Sequence, residues 1–351
     1  MAGQHEPGRD VSLRGLPVEQ IVADDALTLK RGCTTVRIDG EHAPEIVGAV
    51  LELAGAADRT EDELVACFAP EARESIRSLI GELRARRLLL PADAVEDTTA
   101  ESPLDVFYWH FGLPDERSPA PPQDKFVAVV GRSRTATRLG ALLDEAGFGE
   151  IAVVADPDLG DDVADEPLVE REPAAEALGD RLQAATGRFP SIVAAVSERG
   201  FGPLRAWNEL ALAREVPFLP VVIEDLVAYV GPLVVPHETA CFECLLRRRY
   251  SNLDEAKARE AVELRRGGAR IVGLHPAISA VAAGAAALEL SKFFIPWRSA
   301  QQAGYLLTFN LLAGRAGRHR VLKVPRCAAC SSLKTRQPAT AVRAELTSDA
   351  V

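Results

Sequence analysis

Two C-x-x-C pairs, Cys241-Phe-Glu-Cys244 and Cys327-Ala-Ala-Cys330, constrain this chain more than any other feature. Each sets two thiols on one tight turn, and two such turns can close a tetrahedron around one Zn²⁺. About eighty residues separate the pairs, so a shared ion would tie an inner segment to the C-terminal part of the chain. The ligands converge only on folding, so the ion's binding free energy becomes folding free energy. Disulfides or free thiols are the alternatives. No basic segment followed by an apolar run opens the chain. No signal peptide is therefore expected, and a reducing cytoplasm favours metal over disulfides. A site closed by four cysteines is structural and assigns no catalysis. The two isolated cysteines, Cys33 and Cys67, read as small core residues.

The chain's 351 residues suffice for two or three domains. Its net charge of −11 argues against a nucleic-acid partner. The longest apolar run, residues 280–290, is Ala/Gly-rich and too short to span a bilayer. No membrane partner is expected.

Residues 1–15 are polar and read as a frayed start. Strand-like pieces follow at 18–22, 26–30 and 33–38, the last ended by Asp39-Gly40. The period then changes. Ile46, Val47, Val50, Leu51 and Leu53 mark a helix, and Thr60-x-x-Glu63 is a capping box opening a short helix to Phe68. A third helix over 71–87 carries Ile76, Leu79, Ile80 and Leu83 on one face. Three strands with three helices make a winged-helix layout. Such a unit can bind DNA, but the third helix mixes Arg73, Arg77, Arg84, Arg86 and Arg87 with Glu71, Glu74 and Glu82. That is not a basic recognition surface. The other use is peptide capture. An edge strand over 34–38 can accept an extended peptide, whose side chains enter a groove beside the third helix.

The stretch Leu29-Lys-Arg-Gly-Cys-Thr-Thr-Val-Arg-Ile-Asp-Gly40, with Val50-Leu-Glu-Leu53 and the apolar positions of 79–90, resembles the PqqD-like RiPP recognition element. In that family the leader of a ribosomally made precursor lies as a fourth strand against the third. The resemblance carries peptide binding onto Thr34, Thr35, Val36, Arg37 and Ile38, and onto Arg73, Arg77 and Arg84 of the third helix.

Residues 91–124 are proline-rich and read as a linker. One aromatic clump, Phe107-Tyr-Trp-His-Phe111, reads as an anchor packing that linker onto the following body. The body opens with an apolar strand at 125–130, then Gly131, a helix over 135–146, and a strand over 151–155 running into Asp156. This is the start of a mononucleotide-binding βαβ unit. The phosphate loop departs from G-x-G-x-x-G: only Gly131 stands in place, and Arg132, Arg134 and Thr135 would crowd the cradle. Asp158 begins an acidic run through Asp161, Asp162, Asp165 and Glu166. Further strands are expected at 190–196, 217–223, 304–309 and 320–324, with helices over 204–214 and 276–292.

From residue 125 to 330 this order resembles the ThiF/MoeB-type adenylating enzymes. The carriers are the strand–Gly131 start, Gly231-Pro-Leu, Thr239-Ala-Cys-Phe-Glu-Cys-Leu245, the 276–292 helix and the last C-x-x-C. Members use ATP and Mg²⁺ to adenylate a C-terminal carboxylate. Here the family's arginine-bearing helix after the acidic residue is missing. Ala195-Val-Ser-Glu198 stands where its Mg²⁺-binding Asp should fall. No ATP is expected, and Ser197-Glu-Arg-Gly200 is left as a weak active-site candidate. His237 and His275, each beside a proline or turn, read as structural. The basic run Arg247–Arg249, with Lys257, Arg259, Arg265, Arg266 and Arg270, reads as a solvated helix or a face for an acidic peptide.

A leader-binding winged helix joined to such a body resembles the ocin-ThiF-like "F protein" partners of azoline-forming cyclodehydratases in thiazole/oxazole-modified peptide and thiopeptide pathways. The α/β fold implied has a winged helix over 16–92, a linker over 93–124, a Rossmann-like body with a Cys₄ zinc site over 125–334, and a disordered tail over 335–351. The function implied is leader binding by a non-catalytic subunit that presents the core to a separate YcaO-type enzyme. A homodimer is implied as well. An ATP-dependent adenylating enzyme and a winged-helix DNA-binding regulator are the alternatives.

Overall fold

The computed structural model describes residues 11–23, 26–95, 101–131, 133–156, 159, 175–198, 200–224, 226–251 and 274–331. They form two compact units, divided between Pro121 and Pro122.

In the N-terminal unit, β1 (Ser12–Gly15) pairs antiparallel with β5 (Arg59–Thr60) and β6 (Leu89–Pro91) in one small sheet. A second antiparallel sheet runs β2 (Glu19–Ala23), β3 (Ala26–Arg31), β4 (Thr34–Asp39), with Leu29 opposite both Gln20 and Val36. Three helices accompany them: α1 (Ala43–Ala56), α2 (Glu61–Ala66) and α3 (Arg73–Ala85). Leu27, Leu29, Val50, Leu64, Ile80 and Leu83 meet in one core. The capping box read at Thr60 is present in both directions, Thr60 N–H to Glu63 at 2.9 Å and Glu63 N–H to Thr60 Oγ1 at 3.3 Å. Helix α3 is shorter than the 71–87 expected. Residues Pro70–Ala72 form a 3₁₀ turn, and Arg87 ends the helix in the left-handed region at φ 60°.

The stretch up to residue 15 is not frayed throughout, because β1 buries Leu13 and threads between two partners. Cys33 and Cys67 are exposed, not core residues. The aromatic clump straddles the end of α4 (Pro103–Trp109), a helix opened by its own Ser102–Asp105 capping box, with His110 and Phe111 in the turn that follows. Trp109 joins the core of the N-terminal unit, not the body. Its indole N–H donates to the Arg87 carbonyl at 3.1 Å, and the Arg31 guanidinium stacks 4.6 Å from its ring.

The second unit is built on a seven-stranded mixed sheet in the order β13-β12-β11-β10-β9-β7-β8. Strands β7 (Phe126–Val130), β8 (Glu150–Val154), β9 (Ile192–Ser197) and β10 (Phe218–Glu224) are parallel. Strands β11 (Val227–Val230), β12 (Tyr305–Asn310) and β13 (Arg315–Arg320) extend the sheet antiparallel. Helices α5 (Arg134–Glu145) and α9 (Pro276–Phe293) pack together over one face. Helices α6 (Ala175–Thr186), α7 (Leu204–Ala213) and α8 (Phe242–Ser251) cover the other. A single-turn helix, α10 (Ser299–Gln302), precedes β12. Covered on both faces, β7, β9 and β10 are buried at every residue, which is why they read as unbroken apolar runs. The strand expected at 320–324 is displaced. Strand β13 ends at Arg320, and the next residues leave the sheet toward Cys327.

Candidate metal centre and candidate binding surfaces

Cys241 directly precedes α8 and Cys244 lies on its first turn. Cys327 and Cys330 lie on a turn in which the Cys327 N–H donates to the Val324 carbonyl and the Ser331 N–H to that of Cys327. The four Sγ atoms lie within 4.8 Å of one another. Cys241 is 3.8 Å from Cys244 and 3.7 Å from Cys327, and Cys244 is 3.6 Å from Cys330. A tetrahedron with Zn–S bonds of about 2.3 Å has S···S edges of about 3.8 Å. These separations fit a zinc site and are far too long for disulfides, whose S–S bond is about 2.05 Å. The Val324 N–H donates to Cys244 Sγ at 3.4 Å, the kind of outer contact that orients a thiolate ligand. The Cys241 thiol is pushed up by its hydrogen bond to Cys244 and by burial, while accepting that bond pulls Cys244 down. Burial pushes the Cys330 thiol up to about 12. Protons must therefore leave as a metal enters. Four protein sulfurs fill a tetrahedron and leave no position for substrate.

His237 and His275 play no part in the cluster. His237 lies 3.8 Å from Glu215, and His275 caps α9 by accepting the Ala277 N–H on Nδ1 at 3.1 Å.

The expected peptide-binding residues fall on two elements. Thr34, Thr35, Val36, Arg37 and Ile38 form most of β4, which is an edge of its sheet. Thr34, Val36 and Ile38 are half-buried, while Thr35 and Arg37 are exposed. Arg37 pairs with Asp39 at 2.8 Å. The arginines of α3 are committed within the unit. Arg73 donates to the Phe68 carbonyl at 3.3 Å and Arg77 to Asp62 at 2.6 Å. Arg84 bridges Glu61 and Asp115, each at 2.9 Å. Glu61 and Asp62, at the head of α2, gave no sign in the sequence that they would neutralise the next helix, because that pairing is tertiary.

The body has a third region, at the carboxyl ends of the parallel strands. Strand β7 lies between β8 and β9, so the chain reverses direction across it. Open α/β sheets bind ligands at such a switch point. Gly131 sits there at φ +149°, and a Cβ on it would lie 2.9 Å from the Val196 carbonyl. Ser133 caps α5 by accepting the Ala136 N–H at 3.2 Å. Thr135, fully buried, donates its hydroxyl to Glu198, itself 5% exposed. The other Glu198 oxygen has no partner among the described residues. Asp156, also buried, accepts the Trp207 indole N–H at 2.7 Å. A protein carboxylate thus lies against the first turn of α5, where the positive end of a helix would otherwise attract phosphate. The sequence places Thr135 in the phosphate cradle and Glu198 in the candidate stretch Ser197–Gly200. Their contact joins the two readings.

Arg132, Arg199, Asp158, the rest of the acidic run and Lys257, Arg259, Arg265, Arg266 and Arg270 lie outside the described residues. Of the basic run, Arg247 pairs with Glu243 at 3.1 Å, and Arg248 donates to the Leu322 and Lys323 carbonyls. Arg249 pairs with Glu224 at 3.1 Å and stacks on Phe201 and Tyr229. No described helix is long and apolar enough to cross a membrane.

No protein-family model matches the chain, and no curated protein matches it. Solved structures do. The heterocyclase TruD superposes with a TM-score of 0.59 at 18% identity, over 91% of this chain and 43% of TruD. The chain therefore spans less than half of that protein. MccB from E. coli superposes at 0.61 with 12% identity, over 93% of this chain and 98% of MccB. MccB solved with AMPCPP and MccA gives 0.60 at 13% identity, over 91% and 99%. At such identities the likeness shows a shared fold.

Proposed function

We propose that this chain captures the leader of a ribosomally made precursor peptide and holds its core for a separate YcaO-type cyclodehydratase, which forms azolines from Cys, Ser or Thr. In this reading residues 16–92 are a winged-helix recognition element of the PqqD-like kind. Residues 93–124 link it to a ThiF/MoeB-like, Rossmann-type body over 125–334, and 335–351 are a tail. The body pairs as a homodimer, and its Cys₄ cluster holds structural zinc.

The edge of β4, which pairs with β3 alone among the described residues, carries the proposal. It offers main-chain donors and acceptors along Thr34–Ile38, and its side chains alternate between half-buried and exposed. That is the surface an incoming strand needs. Arg77 and Arg84 already share Glu61 and Asp62, so affinity rests on edge pairing first and on charge second. The fold held in common with a heterocyclase, and with MccB solved beside MccA, supports the reading. Holding the leader makes the core's encounter with the enzyme intramolecular, which raises its effective concentration.

The reading assigns no ATP chemistry to this chain. Its support is the single glycine retained at Gly131 and the Thr135–Glu198 contact at the head of α5. A second reading, an adenylating enzyme, draws on the buried Asp156 and on the Glu198 oxygen that has no partner among the described residues, at the same strand ends. ATP–pyrophosphate exchange separates the two. Titration of a labelled leader, taken from a precursor encoded beside this protein, tests capture itself. Saturable binding to the wild type that Val36→Pro abolishes supports capture, and equal binding by the variant rejects it.

A further inference from the structure

Strand β13 leaves the body's sheet open. It pairs with β12 alone among the described residues, and Arg315, Ala316, Arg318, His319 and Arg320 are exposed. An open edge presents a row of backbone donors and acceptors to any extended chain. Here the row is also positively charged. Three arginines and a histidine fall within six residues of a chain whose net charge is −11. Several other arginines are held by carboxylates, as Arg14 is by Asp58 and Arg188 by Glu150. Among the described residues Arg315, Arg318 and Arg320 meet none. Arg318 instead lies 3.5 Å from the Tyr305 ring centre and donates to the Gln301 carbonyl at 2.6 Å.

A cavity of about 340 Å³ opens beside this edge. Phe201, Tyr229, Leu306 and Val321 make its walls apolar, and His319 and Arg320 stand on the strand side. Gly317 faces Thr308 across the ladder, and a Cβ there would come within 2.6 Å of His319 Nε2. The absent side chain leaves room for the 3.2 Å hydrogen bond between His319 and Thr308. An edge charged only to prevent aggregation needs no apolar cavity behind it.

We propose that β13 is a docking edge for an extended acidic segment of a partner protein. The segment adds as an eighth strand. It sets carboxylates against Arg315, Arg318 and Arg320 and seats one aromatic or large apolar side chain in the cavity. Strand pairing through the main chain suits a peptide and not a nucleic acid. The proposal does not rest on leader capture at β4.

The test uses the full chain and fluorescence anisotropy. Arg315 falls on the opposite face of β13 from Arg318 and Arg320, so the probe is a short labelled peptide with glutamates on both strand faces around one central tyrosine. A lysine-for-glutamate peptide and a single-stranded DNA of matching length are run beside it. The acidic peptide binds the wild type and is released by salt. Charge reversal in R315E/R320E weakens it by about tenfold or more. Gly317→Val, whose side chain would displace the cavity-lining His319 and Thr308, weakens the tyrosine peptide but not its alanine counterpart. Zinc content and circular dichroism show which variants fold, and Arg315→Gln serves with a smaller loss if the double reversal does not. No binding of the acidic peptide, equal binding by the charge-reversed protein, or preference for the DNA overturns the proposal.

Discussion

The Sγ of Cys244 lies 3.6 Å from the Sγ of Cys330, a residue 86 positions further along the chain. Nothing but folding brings these atoms together, so an ion held there would be a stability term for the whole body. The purified protein is expected to carry one zinc per chain by elemental analysis, and Cys330→Ser to lose it. A strong chelator should lower the melting of the second unit and leave that of the first in place, giving two transitions where the holo-protein unfolds later. A zinc-free wild type that melts unchanged would remove the metal from the account.

Binding should also release protons, because buried thiols such as Cys330 hold theirs without metal. Zinc affinity therefore falls as pH falls. A chromophoric chelator competing for the ion across a pH series measures this. A flat profile would mean that the ligands are not thiols losing protons.

Leader binding should be lost in Val36→Pro, because proline removes a donor and strains the strand. Val36 is half-buried and packs against the core of its unit, so a melt must accompany the titration. Arg77→Ala and Arg84→Ala are expected to change affinity by only about 1 kcal/mol or less, as partly exposed pairs do.

Thr135→Val should destabilise the body by about 1–3 kcal/mol, since the Glu198 carboxylate would then lose its described partner while remaining buried. Urea denaturation reads this directly. The wild type should be silent in ATP–pyrophosphate exchange. Turnover of ATP by the chain alone would move it to the adenylating class.

Trp109→Ala is expected to cost the N-terminal unit about 3–5 kcal/mol, the range for emptying a buried tryptophan site. The change removes a core ring, a hydrogen bond to the Arg87 carbonyl and the face on which Arg31 stacks. Unfolding of that unit followed by a far-ultraviolet signal, with the second unit as internal reference, measures the loss.

Features whose chemistry is local were readable from the residues. The C-x-x-C turns, the Thr60–Glu63 box and the apolar runs of β7, β9 and β10 stand where their patterns put them. Features decided by distant partners were not. Four residues of β1 give no periodicity, and only Leu13 and its neighbours on both sides make it a strand. Strand β13 reads Arg-Ala-Gly-Arg-His-Arg, without alternation, because an edge strand this exposed has no core to face. Val321, Leu322 and Val324, just beyond it, carry the apolar pattern of a strand, although they lie outside the sheet and run on toward Cys327. Cys33 and Cys67 look like any small buried residue until the turn after β3 and the end of α2 put them in solvent.

A clasp whose two halves are made far apart also sets a timetable. At about 5–20 residues per second, Cys241 waits on the order of ten seconds on the ribosome before Cys327 exists. By then the N-terminal unit has long been synthesised. During that interval the first two thiols are open to oxidants and stray metals, so the yield of sound body should depend on the redox state and zinc supply at the time of translation, more than on conditions met afterwards.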